Sequence, residues 1–184
     1  CANDCRLNAP LVFSTCGKTG REGPTQGQCN TAYNGTGLQG TVTVTHGVQT
    51  WTVPADGSYQ IEVRGAQGGD DDEGFGAKMM GTFQLQRNQV LKIVVGQRGA
   101  RVDQGASGGG GTFVALADNT ALVVAGGGGS ARNGGGSPRR ETTDGHVGTS
   151  GRPGFSGASL NNGGSGGAGG TTRHGPSHGG GGGA

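Results

Sequence analysis

Apolar and polar positions alternate through the first two thirds of the chain. Residues 41–45 alternate Thr and Val, and residues 49–53 carry the single Trp. Tyr59, Ile61 and Val63 point one way while Gln60, Glu62 and Arg64 point the other. A period of two over such short runs marks a half-buried strand. Residues 79–86, 90–95, 112–116 and 121–125 complete a set of about seven short strands, the number expected of a sandwich or jelly roll. Pro54-Ala55-Asp56-Gly57 reads as a turn with Asp-Gly chemistry. Arg87-Asn88 and Asp118-Asn119 read as hairpin loops. No stretch shows a helical period with caps. The expected fold is therefore all-β, with almost no α-helix.

Glycine interrupts this pattern. It supplies 46 of the 184 residues and crowds the stretch after Gly105. Inserts at 68–76 and 105–111 break the strands, and nearly everything after Ala125 is glycine-rich. Gly108, Gly109, Gly110 and Gly111 lead straight into a strand; Gly126, Gly127, Gly128 and Gly129 lead straight out of one. Gly163, Gly164, Gly166, Gly167, Gly169 and Gly170 form a three-residue repeat with two glycines per unit. Three is the period of an extended helix with no internal hydrogen bonds, whose N–H and C=O groups point outward. Such polyglycine-II-type rods are stable only side by side, where no side chain blocks close approach. The layout predicts a β module from which glycine rods emerge and to which they return. Residues 1–40 form a cysteine-bearing entry, 41–125 the β module with its glycine inserts, and 126–184 a region of rods and loops.

Composition narrows the function. Hydrophobic residues are 29% and charged residues 14% of the chain, both low for an ordinary globular domain. A conventional core therefore fills only part of the molecule. A net charge of +2 is too weak to imply nucleic acid or an anionic membrane. No apolar run approaches the length of a bilayer span, so no membrane insertion is expected of this chain. The chain opens on Cys1 rather than Met, which points to processing or to an internal fragment. Cys1, Cys5, Cys16 and Cys29 all fall within the first 29 residues. Four cysteines allow three pairings, and their spacings lack the paired Cys-x2-Cys knuckles of a structural zinc site. Disulfides in a secreted, extracellular protein fit better. Asn34-Gly35-Thr36 is an acceptor triplet for N-linked glycosylation, in keeping with secretion.

Candidate chemistry is sparse. Asp70-Asp71-Asp72-Glu73 offers carboxylates to a hard cation but lacks the spacing of a calcium loop, so a solvated acidic loop is expected. His174 and His178 are four apart, yet Gly175 and Pro176 between them argue against a metal-binding helix. His46 and His146 stand alone. None of the glycine-rich stretches continues into Gly-Lys-Ser or Gly-Lys-Thr, which excludes a phosphate loop. No catalytic residue, metal site or cofactor is assigned, and no enzyme is expected.

One resemblance is carried by specific residues. Phe13-Ser14-Thr15-Cys16-Gly17, Gly23-Pro24-Thr25-Gln26, Gln28-Cys29-Asn30 and Ala32-Tyr33 resemble the start of the glycine-rich extracellular region of the anaplastic lymphoma kinase and leukocyte tyrosine kinase family. Gly47-Val48-Gln49 with Trp51, Val53-Pro54-Ala55, Gly81 with Phe83 and Val94-Val95-Gly96-Gln97 follow in order. The last match is Gly108 to Gly111, followed by a strand that returns into Gly126 to Gly129. The resemblance implies a tumour necrosis factor-like sandwich combined with polyglycine rods. It also implies that Cys16 pairs with Cys29, leaving Cys1 and Cys5 for each other or for another chain. The chain lacks the family's membrane span and kinase domain, and none of the family's cytokine-binding residues is carried over.

Two functions follow. Rods with unpaired faces favour an extracellular structural protein that associates with copies of itself into a fibre, matrix or adhesive layer. The alternative is a cytokine-binding ectodomain fragment of a receptor tyrosine kinase similar to anaplastic lymphoma kinase, with a protein ligand as partner.

Overall fold

A computed structural model of the chain describes residues 9–69, 74–102, 105–129, 144–145, 154–156 and 159–161. Cys1, Cys5, the acidic run 70–73, His146, His174, His178 and the repeat glycines from Gly163 to Gly170 lie outside them. The elements in chain order are α1 (Gln26–Ala32), β1 (Val42–Thr45), β2 (Val48–Thr52), β3 (Gly57–Arg64), β4 (Lys78–Leu85) and β5 (Val90–Val94). Then come β6 (Arg101–Val102), β7 (Gly105–Ala106), β8 (Thr112–Leu116), β9 (Ala121–Ala125), β10 (Gly154–Ser156) and β11 (Ser159–Asn161).

The main sheet has five antiparallel strands in the order β1-β2-β5-β8-β9. Register places Val42 and Val44 of β1 beside Trp51 and Gln49 of β2, and these beside Leu91 and Ile93 of β5. Val114 and Val123 continue the row. Alternation thus puts one apolar residue of each pair on a single inner face, the arrangement the sequence pattern predicts.

Two covers bury that face. The antiparallel pair β3–β4 forms the second layer and contributes Val63 and Leu85 to the core, joined by Ala77 just before β4. The N-terminal segment contributes Phe13, Tyr33 and Leu38. An edge-to-face chain of rings joins the three parts: Phe13 lies 6.3 Å from Tyr33 and 6.2 Å from Trp51, and Trp51 lies 6.3 Å from Tyr59. Gln49 is fully buried in the core and fully bonded. The Tyr33 hydroxyl donates to its Oε1 at 2.6 Å, and its Nε2 donates to the Ser14 carbonyl at 2.8 Å. Both ends of a costly buried amide are thereby satisfied. The fold is all-β and sandwich-like, as the alternation implied.

Two expectations change. A helix exists: α1 spans seven residues behind a capping box in which Thr25 and Gln28 satisfy each other's backbone N–H groups. Seven residues are too few to display a helical period, so only the Thr-x-x-Gln signal could have found it. The Arg87-Asn88 loop is also not a hairpin. β4 pairs with β3, whereas β5 pairs with β2 and β8, so the loop is a corner between layers. Asn88 takes φ +69° there and donates to Val53 O at 2.8 Å, tying the corner to the end of β2. Asp118-Asn119 does close a hairpin, between β8 and β9. A second tight hairpin, His46-Gly47 between β1 and β2, has φ of +48° and +79°, the left-handed pair that matches strand twist.

Candidate functional site

The glycine runs of the two sheets gather at one end of the sandwich. β3, β5 and β9 leave the sheets there, and β4 and β8 enter from there. The segments 65–69, 74–77, 96–100, 107–111 and 126–129 consequently meet in a bundle capping that end. Gly65 donates to Ala77 O and Gly68 to Gly74 O, while Ala66 donates to Gly110 O and Gly69 to Ser107 O. Donation therefore swings between two neighbours with a period of three, not the period of two of a strand. The carbonyls of the same segment serve two more neighbours. Ala66 O accepts from Gly128 N at 2.8 Å, and Gln67 O from Gly99 N at 3.0 Å. Segment 65–69 thus has four neighbours and no side chain larger than those of Ala66 and Gln67.

Close approach explains the glycines. A methyl on Gly65 would run into the Gly126 carbonyl, one on Gly109 into Ala66 O, and one on Gly127 into Gly109 O. Gly76, Gly96, Gly99 and Gly128 are blocked by backbone in the same way. None of these glycines has positive φ, so space and not conformation demands them. Gly126 is the exception, with nothing near its missing methyl.

A threonine seals the junction between bundle and sheets. Thr112 is buried; its hydroxyl donates to Arg64 O at 2.6 Å and accepts from Gly96 N at 3.0 Å. One side chain so fastens the ends of β3 and β5 to the start of β8. On the outer face of the main sheet at this same end, Val94, Phe113 and Val124 stand in register across β5, β8 and β9. Val94 is 37% and Phe113 43% exposed. The position a methyl on Gly111 would occupy is 3.0 Å from the Phe113 ring, which folds back over the bundle junction. No carboxylate points from the paired positions around this row: Thr50, Lys92 and Ala115 are the next neighbours, and Lys92 donates to Asn119 at 2.8 Å. The outer face of β3–β4 is instead charged. Lys78 and Arg64 flank Glu62 at 2.9 and 2.8 Å and hold its carboxyl below the usual range.

At the other flank, Cys16 and Cys29 form a disulfide that ties α1 to the strand-like segment carrying Phe13. Gln26 of α1 donates to Val42 O at 3.0 Å and accepts from Val44 N at 2.7 Å, both on the outer edge of β1. Asn34 lies exposed in the turns after α1. His46 is exposed at its hairpin tip. Of the candidate residues, the structure brings Gly108 to Gly111 and Gly126 to Gly129 together in one bundle, and Cys16 with Cys29. It leaves Asn34 apart from both. Sequence reading missed Thr112, Phe113 and Gln26, which have no signal in a single sequence beyond ordinary strand or helix composition.

No protein-family model matches the chain. A segment of 113 residues is 39% identical to the leukocyte tyrosine kinase receptor of Mus musculus. The similarity covers 57% of this chain and 13% of that receptor. The resemblance first read from the cysteine-bearing motif is therefore present over a long segment, and the matched stretch is a small part of the receptor's length.

Proposed function

We propose that this chain is an extracellular, ligand-binding module of a receptor like the one it matches, and that its bundled segments are polyglycine-II-type rods. The observation that carries the reading is the 39% identity over 113 residues to a receptor tyrosine kinase. Disulfide Cys16–Cys29 supports an oxidising compartment. In this reading the rods cement the end of the sandwich, and the row of Val94, Phe113 and Val124 offers a protein ligand a rigid, apolar, carboxylate-free patch. Exposed apolar rows on a sheet face are frequent sites of protein association. No catalysis by this chain is part of the proposal.

The fibre or matrix protein suggested by glycine content gains no support from the described residues, and the repeat from Gly163 to Gly170 lies outside them. That idea needed rod faces left open to other molecules. Along 65–69, the N–H groups of Gly65, Ala66, Gly68 and Gly69 all bond within the chain. The comparison also points to a receptor and not to an assembly.

The test is a chimera in which the aligned segment of the mouse receptor is replaced by its counterpart from this chain. Ligand-dependent tyrosine phosphorylation in cells is expected, and Phe113→Asp in the chimera should abolish it without loss of surface display. A chimera that reaches the surface, stays folded and remains silent to ligand would overturn the reading.

A further inference from the structure

We propose that Asn34 carries an N-linked glycan. Asn34-Gly35-Thr36 is the one Asn-x-Ser/Thr triplet in the chain. The triplet alone is weak, but its setting adds to it. Asn34 follows Tyr33, the C-cap of α1, and is exposed in a run of turns. Its side chain makes no hydrogen bond to any described residue, although the turn around it is densely bonded. The Asn34 N–H donates to Thr31 O at 3.4 Å, and the Thr36 N–H to Tyr33 O at 3.0 Å. The Thr36 hydroxyl donates to Tyr33 O at 2.7 Å and accepts from Leu38 N at 3.2 Å. Gly35 turns the chain with φ +74°. The turn thus holds its own shape and leaves the exposed Asn34 amide with no structural duty, so that it can keep an attached sugar once the turn has closed.

The chemistry needs a lipid-linked oligosaccharide diphosphate as donor. The Asn34 side-chain nitrogen bonds to C1 of the sugar, the C1–O bond to phosphate breaks, the lipid diphosphate leaves, and the amide loses one proton. In the closed turn the Thr36 hydroxyl is already engaged at both its donor and acceptor functions. Transfer therefore precedes closure of the turn. The sugar would leave the fold undisturbed, because no sheet bond involves Asn34. It would also stand on the side of the N-terminal cover, which packs on the inner face of the main sheet, opposite the face that carries Phe113. Glycosylation and ligand binding would then be compatible.

The proposal rests on the extracellular reading only in requiring passage through a secretory compartment. To test it, the full chain is directed through the secretory pathway of mammalian cells and treated with peptide N-glycosidase in heavy-oxygen water. Isotope label is expected at Asn34, with a mobility shift that Asn34→Gln and Thr36→Ala both eliminate. Ligand response of the chimera should survive Asn34→Gln. A secreted wild-type chain with unlabelled Asn34 would overturn the proposal, whatever the chimera does. Label at Asn34 with a silent chimera would uphold it while removing the receptor reading.

Discussion

Trp51, Val63, Leu91 and Val114 are buried by side chains that interlock, whereas Gly65, Gly109 and Gly127 are half-buried and held by backbones that touch. The first region follows the hydrophobic effect: each methylene removed from the core loses transfer energy and leaves a void. The second has almost no apolar surface to bury. Its order comes from backbone hydrogen bonds worth about 0.5–1.5 kcal/mol each, set against the large entropy lost when glycine is fixed. The two regions therefore respond to mutation with opposite sign. The sandwich is weakened by losing atoms and the bundle by gaining them. Because both share strand ends, the sandwich also fixes the starting positions of the bundled segments and lowers the entropy cost of aligning them.

The largest effect is expected for Trp51→Ala, which removes the ring that links Phe13 to Tyr59. Denaturant unfolding should show a loss of about 3–5 kcal/mol. Hydrogen exchange should show the bundle amides loosening along with the core. Protection that persists at Gly109 and Gly128 in this variant would break the dependence of bundle on sandwich. Next comes Gly109→Ala, set against Gly126→Ala. The first adds a methyl where Ala66 O stands and should cost about 3 kcal/mol. The second adds one to open space and should stay within about 0.5 kcal/mol. Equal stabilities for the pair would show that close backbone approach is not what selects glycine.

Thr112→Val probes the joint. The shape is kept, but Arg64 O and Gly96 N lose their shared partner, at a cost of about 1–3 kcal/mol. Faster exchange at Gly96 with unchanged protection of Val114 would place the damage at the seam. The smallest effect belongs to Asp118, far from the bundle in the β8–β9 hairpin. The backbone N–H of Thr120 donates to its carboxylate at 2.9 Å and holds its pKa below the ordinary value. A depressed folded-state pKa contributes stability above the unfolded value, and that contribution disappears as pH falls through the folded one. Asp118→Asn should lower stability slightly at neutral pH, where the contribution is present, and leave it unchanged below the folded-state pKa, so that the acid limb of the stability curve flattens.

Much of the sandwich was legible because alternation reports burial directly. β1, β3, β8 and β9 stand where Val, Tyr-Ile-Val and Ala-Leu-Val patterns place them. The pairing was less legible. Arg87-Asn88 has the residues of a hairpin loop, and only the burial of Leu91 and Ile93 beside Trp51 and Val114 decides that the chain changes layers there. The disulfide could be inferred from resemblance but not from spacing, since three pairings were open. The bundle was half legible. Glycine runs at strand ends foretold it, yet segment 65–69 carries no repeat, and its period of three emerges only from which neighbour each amide finds. Phe113 and Thr112 were invisible as site residues because a strand of Thr-Phe-Val-Ala-Leu looks the same whether its second residue meets solvent or core.

Gln26 has a consequence for how the main sheet ends. A sheet is an open polymer of strands, and its last member offers the next one a template of N–H and C=O groups. The carboxamide of Gln26 is chemically a peptide group, and it occupies Val42 O and Val44 N at the spacing of a neighbouring strand. Asn30, one turn further along α1, accepts a third hydrogen bond from the same amide at 2.7 Å and steadies it. One side chain thus works as a chain terminator, ending sheet growth at β1 with a monomer that cannot be extended.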